Sequence, residues 1–132
     1  MDLELLQQQK RVLIIDDDPD VTITLQKALE QNGFGTETYN DPLAAYKDFR
    51  YGQCDLVLLD IKMPVVDGFL LYRKIKSTDG KVKVCFLTAS EFFYERVRQE
   101  HGLSGLNQET FLRIPIEINE LVYTAKKLLD SE

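Results

Sequence analysis

Val12-Leu13-Ile14-Ile15-Asp16-Asp17-Asp18-Pro19 is an unbroken apolar run that ends in three aspartates and a proline. A second run of the same kind, Leu56-Val57-Leu58-Leu59-Asp60, follows later in the chain. Strands buried on both faces read as continuous Val, Ile and Leu, the pattern of a parallel sheet covered by helices. In open sheets of that kind functional groups stand just beyond the carboxyl ends of the strands, so both runs deliver their carboxylates to one edge. If the two strands are neighbours, three or four carboxylates from Asp16, Asp17, Asp18 and Asp60 converge and repel one another unless a cation compensates. Donors rich in oxygen and poor in sulfur favour Mg²⁺ or Mn²⁺.

Around these runs the chain alternates strand and helix five times, which implies an α/β fold with a parallel sheet wound on both faces. Strands are expected at residues 11–16, 34–39, 55–60, 82–88 and 109–113. Asp18 caps a first helix with Pro19 in its first turn, and Val21, Leu25, Ala28 and Leu29 form its apolar stripe before Gly33 stops it. Asp41-Pro42 repeats the signal for a helix carrying Leu43, Ala44, Tyr46 and Phe49, closed by Gly52. A loop through Met63-Pro64 leads to a third helix from about Asp67, with Phe69, Leu71, Tyr72 and Ile75 on its apolar face. Residues 91–108 are the least defined: Phe92, Phe93, Tyr94 and Val97 suggest a helix that Gly102 and Gly105 cut short. Ile118, Leu121, Val122, Ala125, Leu128 and Leu129 mark an amphipathic last helix.

With 132 residues, the chain is the size of one domain and needs no staples. Sixteen basic against 22 acidic residues give a net charge of -6, which argues against a phosphate-backbone footprint on nucleic acid. Cys54 and Cys85 lie beside or inside apolar runs without a C-x-x-C pair, as expected for free thiols in a reducing compartment. The polar N-terminal stretch lacks the apolar core of a signal peptide, and no run is long enough to span a membrane, so a cytoplasmic location is expected. His101, the single histidine, sits in a polar stretch and reads as a surface residue.

Asp16-Asp17 after strand one, Leu59-Asp60-Ile61-Lys62-Met63-Pro64 with Asp67-Gly68 after strand three, and Thr88-Ala89 after strand four together resemble the receiver domain of two-component response regulators. The resemblance covers about Arg11 to Leu129. It implies a flavodoxin-like sheet of order 2-1-3-4-5, a polar extension over residues 1–10 and one receiver domain over residues 11–130. It places Asp60 as the acceptor of a phosphoryl group from a histidine kinase or phosphotransfer protein. Asp17 is the principal metal ligand, supported by Asp16, by Asp60 and by the backbone carbonyl of Lys62, with Mg²⁺ or Mn²⁺ as the ion. Thr88 is the hydroxyl that meets the phosphoryl oxygens, and Phe111 stands where the family has an aromatic switch residue. A downstream protein is expected on the face of the last helix and strand, with no DNA or membrane contact and with room for a weak homodimer. The chain holds no output domain, which fits a free-standing receiver or a part of a longer regulator.

The residues agree with those roles on chemical grounds, since phosphoryl transfer needs an in-line nucleophile and positive charge on the equatorial oxygens. The pattern breaks where the family has a lysine before the proline that follows strand five: Ile114 occupies that position in Arg113-Ile114-Pro115. Alternation along a strand turns Arg113 away from the site. The stretch from Thr88 to Pro115 is also longer than usual for the family. Two rivals therefore stand beside the switch. One is an interaction module that works without phosphorylation, motivated by Ile114. The other is a haloacid-dehalogenase-like phosphatase, motivated by the D-x-D-x-T string Asp18-Pro19-Asp20-Val21-Thr22.

Overall fold

Leu13, Ile15, Val57, Leu59, Val84 and Phe86 are buried on one face of a central sheet, and Val12, Ile14, Leu56, Leu58, Cys85 and Leu87 on the other. Successive strand residues point to opposite faces, so burial on both sides is what turns alternation into continuous apolar runs. The structure, a computed structural model, describes residues 9–89 and 111–130. Its elements are β1 (Arg11–Ile15), α1 (Pro19–Glu30), β2 (Gly35–Tyr39), α2 (Pro42–Asp48), β3 (Leu56–Asp60), α3 (Gly68–Thr78), β4 (Lys83–Thr88), β5 (Phe111–Arg113) and α4 (Ile118–Asp130). The five strands pair in parallel in the order β2-β1-β3-β4-β5, as expected. The residues 91–108 and His101 lie outside the described residues.

α2 and α3 cover one face through Ala45, Phe69, Leu71 and Ile75, while α1 and α4 cover the other through Leu25, Ala28, Leu29, Leu121, Val122 and Ala125. Each fully buried Leu, Ile or Phe among them contributes about 1.5–3 kcal/mol relative to exposure. Aspartates start three of the helices. Asp18 accepts from the Asp20 N–H, Asp41 from the Leu43 N–H, and Asp67 from both the Phe69 and Leu70 N–H groups. Such caps are worth about 1 kcal/mol each.

Some boundaries differ from the expected ones. β1 stops at Ile15 and β4 starts at Lys83, each one residue inside the expected bounds. α1 ends at Glu30 and gives way to a turn closed by Gly33 at φ 91°. α2 is only seven residues long, so its buried stripe is Pro42 and Ala45, with Leu43 37% exposed. Phe49 reaches the core from an extended backbone just past the helix. No helix among the described residues is long and apolar enough to cross a membrane. Cys85 is buried and Cys54 half-buried, and burial pushes the Cys54 thiol up to about 12. Neither thiol forms thiolate readily.

Candidate functional site

Register places the acids. Ile15 pairs with Leu59, so the next residues, Asp16 and Asp60, leave neighbouring strands side by side. They continue the face of Ile14 and Leu58, and at the strand ends a carboxylate replaces the alkyl group. One carboxylate oxygen from each of Asp16, Asp17 and Asp60 lies within 4.8 Å of the others. Asp16 is buried, Asp60 half-buried and Asp17 exposed. These residues line a cleft of about 510 Å³ whose rim and wall include Lys62, Thr88 and Ile114.

Each acid is held by a neighbouring main-chain donor. Asp16 Oδ1 accepts from the Asp18 N–H at 2.9 Å and Asp60 Oδ1 from the Lys62 N–H at 3.2 Å. Burial pushes the Asp16 carboxyl up to about 6, against the pull of the Asp18 N–H and with help from the charge of Asp17. Asp60 is pushed up to about 7, first by burial and then by the charge of Asp16, with the Lys62 N–H opposing. Crowded hard oxygens of this kind fit a divalent cation such as Mg²⁺.

The other expected residues fall around this cluster. Thr88 closes β4 and is 5% exposed. Ile114 follows β5, donates its N–H to the Thr88 carbonyl at 2.7 Å and packs partly against the α1/α4 layer. Arg113 pairs in register with Thr88 but is exposed and is not among the residues lining the cleft. Phe111 is half-buried and stacks on Phe86, with ring centroids 5.1 Å apart. Asp18 is committed to capping α1, so Asp18-Pro19-Asp20-Val21-Thr22 is a helix start and the phosphatase reading falls.

Two contributors had no role assigned to them from the sequence. Gly68 N donates to the Ile61 carbonyl at 2.9 Å, and a Cβ on Gly68 would lie 2.5 Å from the Asp60 carbonyl oxygen. Only glycine lets the first turn of α3 seat this closely on the end of β3. Its signal was the Asp67-Gly68 pair, whose spacing carries no record of what the glycine touches. Asn40, after β2, donates through Nδ2 to the Asp16 carbonyl and to Thr22 Oγ1, both at 2.9 Å. A lone asparagine after a strand gives no such signal.

Comparison with known proteins identifies the family of this fold. Residues 12–123 match the family model of the response regulator receiver domain. The transcriptional regulatory protein PrrA of Mycobacterium bovis is 35% identical over 119 residues, which are 90% of this chain and 49% of the relative. The transcriptional regulatory protein RprY of Bacteroides fragilis is 26% identical over 126 residues, covering 94% of this chain and 51% of the relative. The chain spans about half the length of these curated relatives. Among solved structures, the non-phosphorylated HemR receiver domain from Leptospira biflexa aligns with a TM-score of 0.79 at 27% identity, over 94% of this chain and 97% of that one. The receiver domain of the sensor histidine kinase PA1611 from Pseudomonas aeruginosa, which has a magnesium ion in its active site cleft, aligns with a TM-score of 0.75 at 22% identity, over 93% of this chain and 99% of that one. Receiver domains are phosphorylation-based signalling switches that bind Mg²⁺ and interact with histidine kinases and downstream partners. With the strand order, the acids at one sheet edge and the family match all in agreement, this chain belongs to the response regulator receiver domain family.

Proposed function

We propose that the domain, spanning residues 11–130 after a polar extension over residues 1–10, is a Mg²⁺-dependent switch phosphorylated on Asp60. The observation that carries this reading is the convergence of Asp16, Asp17 and Asp60 within 4.8 Å at the mouth of one cleft. Asp16, Asp17 and Asp60, joined by the Lys62 carbonyl, are the residues that would hold Mg²⁺ or Mn²⁺. When bound, the ion supplies positive charge to the phosphoryl oxygens.

Asp60 is the nucleophile. Its carboxylate oxygen bonds to phosphorus as the bond from phosphorus to the donor nitrogen of a phosphohistidine breaks, and the electron pair leaves on that nitrogen. Thr88 donates its hydroxyl to a phosphoryl oxygen from the adjacent strand end. The new group adds a charge of about -1.5 to -2 beside β4 and β5, which biases a loop between two positions. The donor is a histidine kinase or phosphotransfer protein, and the output is a protein contact on the β5/α4 face in the cytoplasm, without direct DNA binding by this domain.

Intact-mass measurement after exposure to a small phosphodonor and Mg²⁺ tests the reading. The expected result is a gain of one phosphoryl group that Asp60→Asn eliminates. Full labelling of Asp60→Asn would overturn the acceptor. The placement of Ile114 in the cleft favours a second reading, an interaction module that never takes a phosphoryl group; an unlabelled wild-type protein with no Mg²⁺ response would select it.

A further inference from the structure

We propose that Asn40 is a positioning residue for the cation-binding acids: it fixes the Asp16–Asp17 peptide so that both carboxylates turn toward Asp60. The proposal rests on reading the cleft as a divalent-cation site.

The Asn40 amide nitrogen makes two hydrogen bonds, one to the Asp16 carbonyl and one to Thr22 Oγ1. A main-chain carbonyl only accepts, so the first bond requires nitrogen at that end of the amide. Thr22 is 2% exposed, and its hydroxyl donates to the Pro19 carbonyl at 3.1 Å, leaving its lone pairs for Asn40. The preceding residue, Tyr39, accepts from the Asp16 N–H through its carbonyl at 3.1 Å. Both main-chain polar groups of Asp16 are thereby tied to consecutive residues at the end of β2, and its side chain is tied to the Asp18 N–H.

A peptide unit is planar, so the direction of the Asp16 carbonyl dictates where the nitrogen and Cα of Asp17 lie. Without the tie, rotation at Asp16 carries the Asp17 carboxylate out of the cluster. Mutual repulsion among three carboxylates favours that rotation whenever the cation is absent. Asn40 is not among the residues lining the cleft. It acts on the acids from behind, and a cation meets them already gathered.

Mg²⁺ titration by calorimetry or by amide NMR tests this, since the chain has no tryptophan to report the binding. Asn40→Ala should weaken Mg²⁺ by about tenfold, in line with the effect of losing a group that orients metal ligands. Thr22→Val, which removes one anchor of the same amide, should weaken it by about threefold. Gln26→Ala, which removes a bond to Thr36 at the neighbouring edge, should leave it unchanged. All titrations are run well below the melting temperature of each variant, so lost fold does not pass for lost affinity. Wild-type binding with Asn40→Ala within twofold of it would overturn the proposal. If Asn40→Ala does not fold, Thr22→Val decides, and wild-type affinity in that variant would overturn it. A wild-type protein that does not respond to Mg²⁺ would instead overturn the cation reading beneath it.

Discussion

Asp16 and Asp60 leave adjacent parallel strands on the same face of the sheet, with carboxylate oxygens within 4.8 Å of each other. The fold therefore holds two partly desolvated acids in a geometry that the unfolded chain relaxes.

That geometry makes stability depend on pH in a definite direction. The folded carboxyls titrate at about 6 and about 7, whereas the same groups in the unfolded chain titrate near the ordinary 3.8. Between those values the folded state holds more protons than the unfolded one, so metal-free stability falls as pH rises through the window. Added Mg²⁺ should restore stability above it and do little below it, because protons and cation compete for the same oxygens. Melting curves across the window, with and without Mg²⁺, check this. Asp60→Asn should flatten the metal-free profile, and Asp17→Asn should erase the response to Mg²⁺ and raise the metal-free melting temperature by removing repulsion. A metal-free melting temperature that climbs with pH would contradict the sign.

Gly68→Ala should disturb the acceptor directly. The new Cβ would fall 2.5 Å from the Asp60 carbonyl oxygen and 2.7 Å from the Ile61 Cα, both main-chain atoms that move only with the loop. The expected cost is about 1–3 kcal/mol of stability. Labelling at Asp60 should slow by more than that loss alone explains, because displacement of a nucleophile by about 1 Å costs on the order of a hundredfold. Gly80→Ala is the control, since its nearest contact is the Lys76 carbonyl at 3.9 Å. Denaturant unfolding and labelling rates of the two variants check the difference.

Val65 stores strain beside the same loop. It is 88% exposed at φ 71°, and the Val66 N–H donates to the Pro64 carbonyl at 2.8 Å, closing a tight turn around it. A β-branched residue in the left-handed region costs about 1–2 kcal/mol, and glycine removes most of that cost. Val65→Gly should therefore stabilise the domain by about 1 kcal/mol, with little packing to lose. Glycine also costs about 0.5–1 kcal/mol in backbone entropy, so a loss of stability of that size or more, read from the denaturant midpoint, would show that the turn is unstrained.

The strands and the acids were legible because both are written in contiguous residues: apolar runs of four, then aspartate. The strand register that sets Asp16 beside Asp60 followed from two parallel runs ending alike. The roles of Gly68 and Asn40 were not legible, because each depends on main-chain atoms distant in sequence, Asp60 O for one and Asp16 O for the other. Leu43 misled for a related reason. In a helix of seven residues, the stripe is set by where Pro42 and Ala45 meet the sheet, and periodicity over two turns does not fix its rotation.

Ile114 gives the sharpest functional prediction. It lines the same cleft as the acids, while Arg113 is exposed and absent from the lining. Among the described residues lining the cleft, Lys62 is the one with a cationic side chain. Lysine at position 114 would bring a second ammonium to a partly desolvated site, where a fixed charge acts strongly on a charged transition state. Ile114→Lys should therefore speed labelling by a small phosphodonor by at least about tenfold, equivalent to about 1.4 kcal/mol of barrier. The same substitution gives up apolar contact with the α1/α4 layer, so its melting temperature should fall even as the rate rises. Opposite movements of rate and stability would separate an electrostatic gain from a general tightening of the fold. An unchanged rate would mean that the cation and Lys62 already satisfy the charge on the phosphoryl group, and that the apolar residue at this position costs the transfer nothing.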